Sequence, residues 1–170
     1  MVSDGRHGLD WHLGARCLWR FRPWLPDLWG ILEQLGRQLC ASPLFASAYV
    51  GASAINLGGS DGQKQQWLPA IVDGSEILTL AVDEQPRHQR DAIACAASAG
   101  DGGYVLSGAK TFVPEGMSAT TFVVAAKTDA ADIELFLVPA NTAGVSRTGM
   151  ATVDNRDYCL LYTSPSPRDG

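Results

Sequence analysis

Titratable side chains crowd one short stretch of the chain, Asp83-Glu84-Gln85-Pro86-Arg87-His88-Gln89-Arg90-Asp91. It follows an apolar run, Ile77–Val82, and so reads as the loop at a strand's exit. An ionised carboxylate accepts hydrogen bonds and donates none, so Asp83 and Glu84 read as acceptors or as a solvated strand end. His88 is the residue type suited to a general base near neutrality, although a lone loop histidine is more often solvated. Arg87 and Arg90 each carry a planar guanidinium fork. Further on, Phe112-Val113-Pro114 sets an aromatic beside a residue with neither a hydroxyl nor an N–H. By residue type alone Phe112 reads as core. Lys110, just before it, reads as a lysine whose stem lies along apolar surface with its head in water. The cysteines, Cys17, Cys40, Cys95 and Cys159, lack metal-ligand spacing. Cys40 and Cys95 read as two buried thiols in a reducing compartment.

The elements that must position these residues change character near Gly74–Glu76. Before it the apolar spacing is helical. Ile31, Leu32, Leu35 and Leu39 share one face and predict the end of a helix over Ile31–Cys40. Ser42-Pro43 can cap and start the next helix. Leu44–Leu57 is small and apolar nearly all round, which predicts burial on several sides. Gly58-Gly59 ends it. Ser60 or Asp61 caps a further helix over Gln63–Val72, in which Pro69 predicts a kink or a tightened last turn and Gly74 closes the end. Gln63 and Lys64 read as a solvated first turn, and Trp67 as an interhelical anchor. After Ser75 the pattern becomes strand-like at Ile77–Val82, Ile93–Ser98, Tyr104–Ser107, Lys110–Val113, Thr120–Lys127 and Ile133–Val138. Helices first and strands second predict an α+β chain whose second part is a sandwich or barrel.

Three blocks then stand in order: Gly-Ser-Asp-Gly-Gln-Lys-Gln-Gln-Trp-Leu-Pro at 59–69, Ala-Val-Asp-Glu-Gln-Pro at 81–86, and Gly-Gly-Tyr-Val-Leu-Ser-Gly-Ala-Lys-Thr-Phe-Val-Pro-Glu-Gly at 102–116. Their order and spacing resemble the middle of an acyl-CoA dehydrogenase, over about residues 31–157. The family pattern is G-S-x-x-Q-K-x-x-W-L-P, then T-E-P-x-A-G-S-D, then G-Y-x-L-x-G-x-K-x-[WF]-[IV]-T. The resemblance implies a helical N-terminal segment followed by a β-sandwich or barrel-like middle domain, with the family's C-terminal helical domain missing. It also implies FAD as cofactor, with Leu80, Ala81, Val82 and Asp83 at the edge of the flavin ring and Phe112, Val113 and Pro114 at its face. Three departures stand out. Asp83 replaces a threonine, and its carboxylate would repel the negative charge of reduced flavin. Pro114 replaces a second threonine, whose hydroxyl would reach the ring. Residues 86–91 lack the glycine that allows close backbone approach.

The two ends read differently from the middle. Four of the five tryptophans, Trp11, Trp19, Trp24 and Trp29, lie in residues 1–30 without periodicity. A shift of one nucleotide turns every tryptophan codon into a glycine codon. His7–Gly30 can then read as the glycine-rich segment that the family carries there. A genuine disordered leader is the other reading. Residues 159–170, Cys-Leu-Leu-Tyr-Thr-Ser-Pro-Ser-Pro-Arg-Asp-Gly, resemble a translated sequencing adaptor. The expected division is therefore 1–30 as leader, 31–75 as partial helical domain, 76–158 as partial flavin-binding β-domain and 159–170 as adaptor-derived tail.

Composition narrows the function classes. Hydrophobic residues make up 46% and charged residues 18%, as in globular chains. The net charge of −5 and the absence of a basic stripe argue against nucleic acid. No apolar run reaches bilayer-spanning length. The resemblance implies α,β-desaturation of an acyl-CoA thioester, in which the cofactor carries the redox chemistry and a glutamate takes the α-proton. No residue here matches that base, so the catalytic set is empty and the fragment is expected to be inactive as it stands. The implied partners are an acyl-CoA substrate, an electron-transfer flavoprotein and further copies of the chain in a homo-oligomer. The implied place is the cytoplasm, or the mitochondrial matrix in a eukaryote. Two other readings stay open: a flavin-dependent monooxygenase or other divergent relative, and a non-enzymatic β-domain that binds a partner.

Overall fold

The computed structural model describes residues 25–89, 92–100, 103–154 and 156–164. Among the described residues four helical segments precede seven strands. Helix α1 (Leu25–Arg37) begins inside the segment read as a leader, buries Leu28 and leaves Trp29 exposed. Its last turn carries an i,i+4 pair, Arg37 to Glu33 at 2.7 Å. It stops at Arg37, and Cys40 beyond it is exposed, which corrects the expectation of a buried thiol there. Cys95 is buried as expected.

Helix α2 (Phe45–Gly51) runs directly into α3 (Ala52–Gly58). Its turns are wide: the Ala52 N–H reaches back five residues to the Ser47 carbonyl. The small residues of α2 explain the close approach it makes to strand β1 (Leu78–Ala81). A Cβ on Gly51 would lie 2.7 Å from the Cβ of Leu78. The buried Ser47 hydroxyl accepts the Leu78 N–H at 3.1 Å. Phe45 and Tyr49, however, point outward, with ring centroids 5.5 Å apart. The expectation of burial on several sides is thus met against β1 and, through Ile55, against Ile71, Trp67 and Leu68 of the following helix, while the Phe45–Tyr49 side stays open.

Helix α4 (Asp61–Val72) starts with a reciprocal cap. The Ser60 hydroxyl accepts the Gln63 N–H at 3.3 Å, and the Gln63 side chain accepts the Ser60 N–H at 2.8 Å. Gln63 is therefore half of the cap and not a free surface residue. At the other end Gly74 donates to Ile71 three residues back, the tightened turn expected of Pro69, and its φ of +78° closes the helix.

The other strands are β2 (Ala96–Gly100), β3 (Gly103–Pro114), β4 (Thr121–Thr128), β5 (Ile133–Pro139), β6 (Val145–Met150) and β7 (Tyr158–Thr163). All belong to one seven-stranded sheet in the order β1-β4-β2-β3-β7-β6, with β5 on the other side of β4. β4 pairs with β1 and β2 in parallel and with β5 antiparallel. Its residues Thr121–Ala126 are all buried, as befits a strand covered on both faces. The two runs read separately as Tyr104–Ser107 and Lys110–Val113 form one strand, β3. Its first half pairs with β2 and its second with β7, which curls the sheet into a half-barrel. Strands β6 and β7 add two elements beyond those the sequence predicts. Cys159–Thr163, the first five residues of the adaptor-like segment, lie in β7, because their inward letters Cys159, Leu161 and Thr163 alternate with outward ones.

Two apolar clusters result. Inside the half-barrel lie Val113, Phe122, Val124, Phe136, Cys159 and Leu161. Between helices and sheet lie Ile55, Ile71, Leu78 and Val123, with Trp67 packed against them as an anchor. Alternation along β4 sends Phe122 and Val124 to one cluster and Val123 to the other.

Candidate functional site

The two segments predicted to form one site do meet. Strand β1 ends at Ala81, and the chain then passes beside the second half of β3. Three bonds fasten them. The Thr111 N–H donates to the Asp83 carbonyl at 2.7 Å. Lys110 Nζ donates to the Val82 carbonyl at 3.2 Å. The buried Thr79 hydroxyl donates to the Pro114 carbonyl at 2.5 Å.

Pairing between β3 and β7 slips between Lys110 and Val113, which marks a bulge. At this bulge Phe112 adopts φ +50°, an unusual conformation for a bulky side chain. Its ring is 45% exposed, while Val113 next to it is buried in the half-barrel. Glu115, two residues past Val113, has φ +52°. Two non-glycine residues in this region within four positions are the kind of local strain that gathers at binding sites. Glu115 is buried and held by Arg156 at 2.9 Å, and Arg156 also reaches the Ser42 carbonyl at 3.3 Å.

Beneath the β1 exit lies an ion pair that the sequence reading missed. Lys110 Nζ is 2.6 Å from Glu84 Oε1, and both side chains are withdrawn from water. The Glu84 carboxylate also accepts the Ala94 N–H at 2.7 Å and the Cys95 N–H at 2.9 Å. Burial works against its charged form, but the bonds from Lys110, Cys95 and Ala94 outweigh burial and hold its pKa below the usual value. Lys110 therefore does not reach water and Glu84 is not a solvated strand end. Only the opposite charges were visible in sequence; nothing there paired positions so far apart.

Asp83, by contrast, faces outward. Its Oδ1 lies 2.6 Å from His88 Nδ1, and both side chains remain accessible. Arg87 is exposed. Arg90 and Asp91 lie outside the described residues.

The donor set fits a flavin at the ring edge and not at residue 114. Among the described residues the Asp83 and Glu84 N–H groups meet no acceptor, while the Val82 and Asp83 carbonyls are already engaged. Free N–H groups at a strand's exit suit the acceptors along a flavin edge. Leu80 is half-buried and Ala81 fully buried, so these two can offer backbone alone. Phe112 presents an accessible ring face, whereas Val113 is core and Pro114 has no donor. Among the described residues no cluster of histidine, cysteine or carboxylate side chains could hold a metal, and no helix is long and apolar enough to cross a membrane.

Comparison with known proteins bears on this geometry. Residues 80–162 match the family described as acyl-CoA dehydrogenase, middle domain. The acyl-CoA dehydrogenase FadE27 of Mycobacterium tuberculosis is 38% identical over 132 residues, which are 74% of this chain and 34% of that protein. The Tcur3481-Tcur3483 steroid ACAD G363A variant superposes with a TM-score of 0.73 at 33% identity, over 82% of this chain and 38% of that one. The ChsE4-ChsE5 complex from Mycobacterium tuberculosis gives a TM-score of 0.69 at 33% identity, over 78% of this chain and 35% of that one. The chain thus spans about a third of the length of the relatives it matches. Motif order, the half-barrel behind helices and these matches agree: the chain belongs to the acyl-CoA dehydrogenase family, as a fragment carrying N-terminal helices and the middle β-domain.

Proposed function

We propose that this chain is the flavin-gripping part of an FAD-dependent acyl-CoA dehydrogenase that desaturates an acyl-CoA thioester between its α and β carbons. The observation that carries the reading is the fastening of the β1 exit to the β3 bulge: the Asp83 carbonyl is held by Thr111, the residue before the exposed Phe112, and the Asp83 and Glu84 N–H groups meet no acceptor among the described residues. FAD, when bound, supplies the two-electron chemistry. The chain's own part is to hold the ring edge through backbone at Leu80–Asp83 and to exclude water with Phe112. Val113 supports that wall from the core, and Pro114 contributes shape without a donor. The glutamate that takes the α-proton in the family belongs to its C-terminal domain, so this fragment alone is expected to be inactive. An electron-transfer flavoprotein would accept the electrons, and the whole protein would be an oligomer in the cytoplasm or the mitochondrial matrix. One of the structural relatives is the ChsE4-ChsE5 complex, in line with an assembled parent.

A divergent flavin reaction, such as hydroxylation by a monooxygenase, is the second reading. It is favoured by Asp83 and Pro114 standing where the family pattern has threonines. The experiment reconstitutes the protein read from the uninterrupted gene with FAD and adds acyl-CoA thioesters anaerobically. The desaturase reading expects flavin absorbance that bleaches with at least one acyl-CoA. Flavin that responds to NAD(P)H and oxygen alone supports the second reading. A folded protein with no flavin after reconstitution leaves a binding module without redox chemistry.

A further inference from the structure

We infer that His88 is a positioning residue that offsets the charge of Asp83 at the flavin edge. This rests on the function proposed above. Asp83 Oδ1 and His88 Nδ1 stand 2.6 Å apart, and Asp83 is pinned beside the bulge through its carbonyl, 2.7 Å from the Thr111 N–H. Residue 83 therefore lies beside the bulge that carries Phe112.

Among the described residues the surrounding charges single out this pair. Lys110 is the nearest buried cation, but Glu84 holds it at 2.6 Å, so that pair is closed on itself. Arg87 is exposed on the same loop, and no bond ties it to Asp83 among the described residues. Asp83 is thus the charge that Lys110 does not balance, and His88 is the group that meets it. A carboxylate near a flavin disfavours the extra negative charge of the reduced form. An Nδ1–H donated to that carboxylate, on a ring that is positive when protonated, weakens this repulsion. The threonine of the family pattern carries no charge and calls for no such partner.

The test compares the protein read from the uninterrupted gene with His88→Ala, Asp83→Thr and the double variant. Binding of oxidised and of reduced FAD is measured for each, together with the midpoint potential. His88→Ala is expected to weaken reduced FAD about fivefold, in the range of an accessible ion pair, and to leave oxidised FAD unchanged. A fivefold difference lowers the two-electron potential by about 20 mV. In the Asp83→Thr background the same substitution is expected to change neither quantity. Equal weakening of both redox states, or the same shift with Thr at 83, would show a loop brace and overturn the inference. Tight FAD binding with no effect of His88→Ala overturns it while sparing the functional reading. Failure of the parent protein itself to bind FAD removes both.

Discussion

Replacing Lys110 with methionine is expected to destabilise the fold by about 3–5 kcal/mol at neutral pH, the cost of leaving one member of a buried ion pair alone. Methionine keeps most of the stem's volume, so the loss is chiefly electrostatic. The side chains of Lys110 and Glu84 are 1% and 10% exposed, which leaves water little room to take the ammonium's place. Without it the carboxylate keeps only the Ala94 and Cys95 N–H groups. The pH dependence gives a second signature. A carboxylate whose folded pKa is depressed stabilises the fold above its unfolded pKa, about 4.3 for glutamate, and this contribution is lost as pH falls through the folded value. In the parent, stability therefore drops with acid below about pH 4.3. In Lys110→Met the stranded carboxylate is relieved by protonation already above about pH 4.3, so the gap between the two proteins narrows from neutral pH downward. Urea unfolding followed by circular dichroism at pH 7 and pH 4 measures both effects. A change under about 1 kcal/mol at pH 7, or a gap that widens in acid, contradicts the ion pair.

Phe136→Ala is expected to cost about 3–5 kcal/mol through a different cause, the cavity left in the half-barrel. Phe136 is 1% exposed and packs at a tilt against Tyr104, with ring centroids 5.1 Å apart. It also faces Val124 across the β4–β5 ladder. This loss should not vary with pH between 4 and 7, which separates it from that of Lys110→Met. Unfolding curves over that range provide the check; a loss below about 1 kcal/mol would place Phe136 outside the core.

The contrast between these residues shows what could be read from sequence. Phe136 lies in Ile133–Val138, a run whose β-branched and aromatic residues predict a strand, and that strand is β5. Ser60 announces its helix because capping is local, decided within three residues. Lys110 and Glu84 are 26 residues apart, and their meeting depends on where β1 crosses β3, which no local pattern encodes. The exposed Phe112 ring depends on one backbone angle at a bulge, equally silent in the sequence. Strand β6, Val-Ser-Arg-Thr-Gly-Met, carries only two apolar side chains at its ends and a glycine, so it takes its form from pairing with β7. The motif blocks located the candidate site because they fall on the β1 exit and the second half of β3. They did not reveal that Asp83 would be paired with His88.

Hydrogen–deuterium exchange on the protein read from the uninterrupted gene, with and without saturating FAD, tests the central claim most directly. The Asp83 and Glu84 N–H groups, which meet no acceptor among the described residues, should exchange readily without FAD and become strongly protected with it, and the Lys110–Val113 stretch around Phe112 should slow as well. FAD binding that leaves the amides of 82–84 and 110–113 unchanged, while protecting others, would contradict the assignment of the flavin edge to the β1 exit and the β3 bulge.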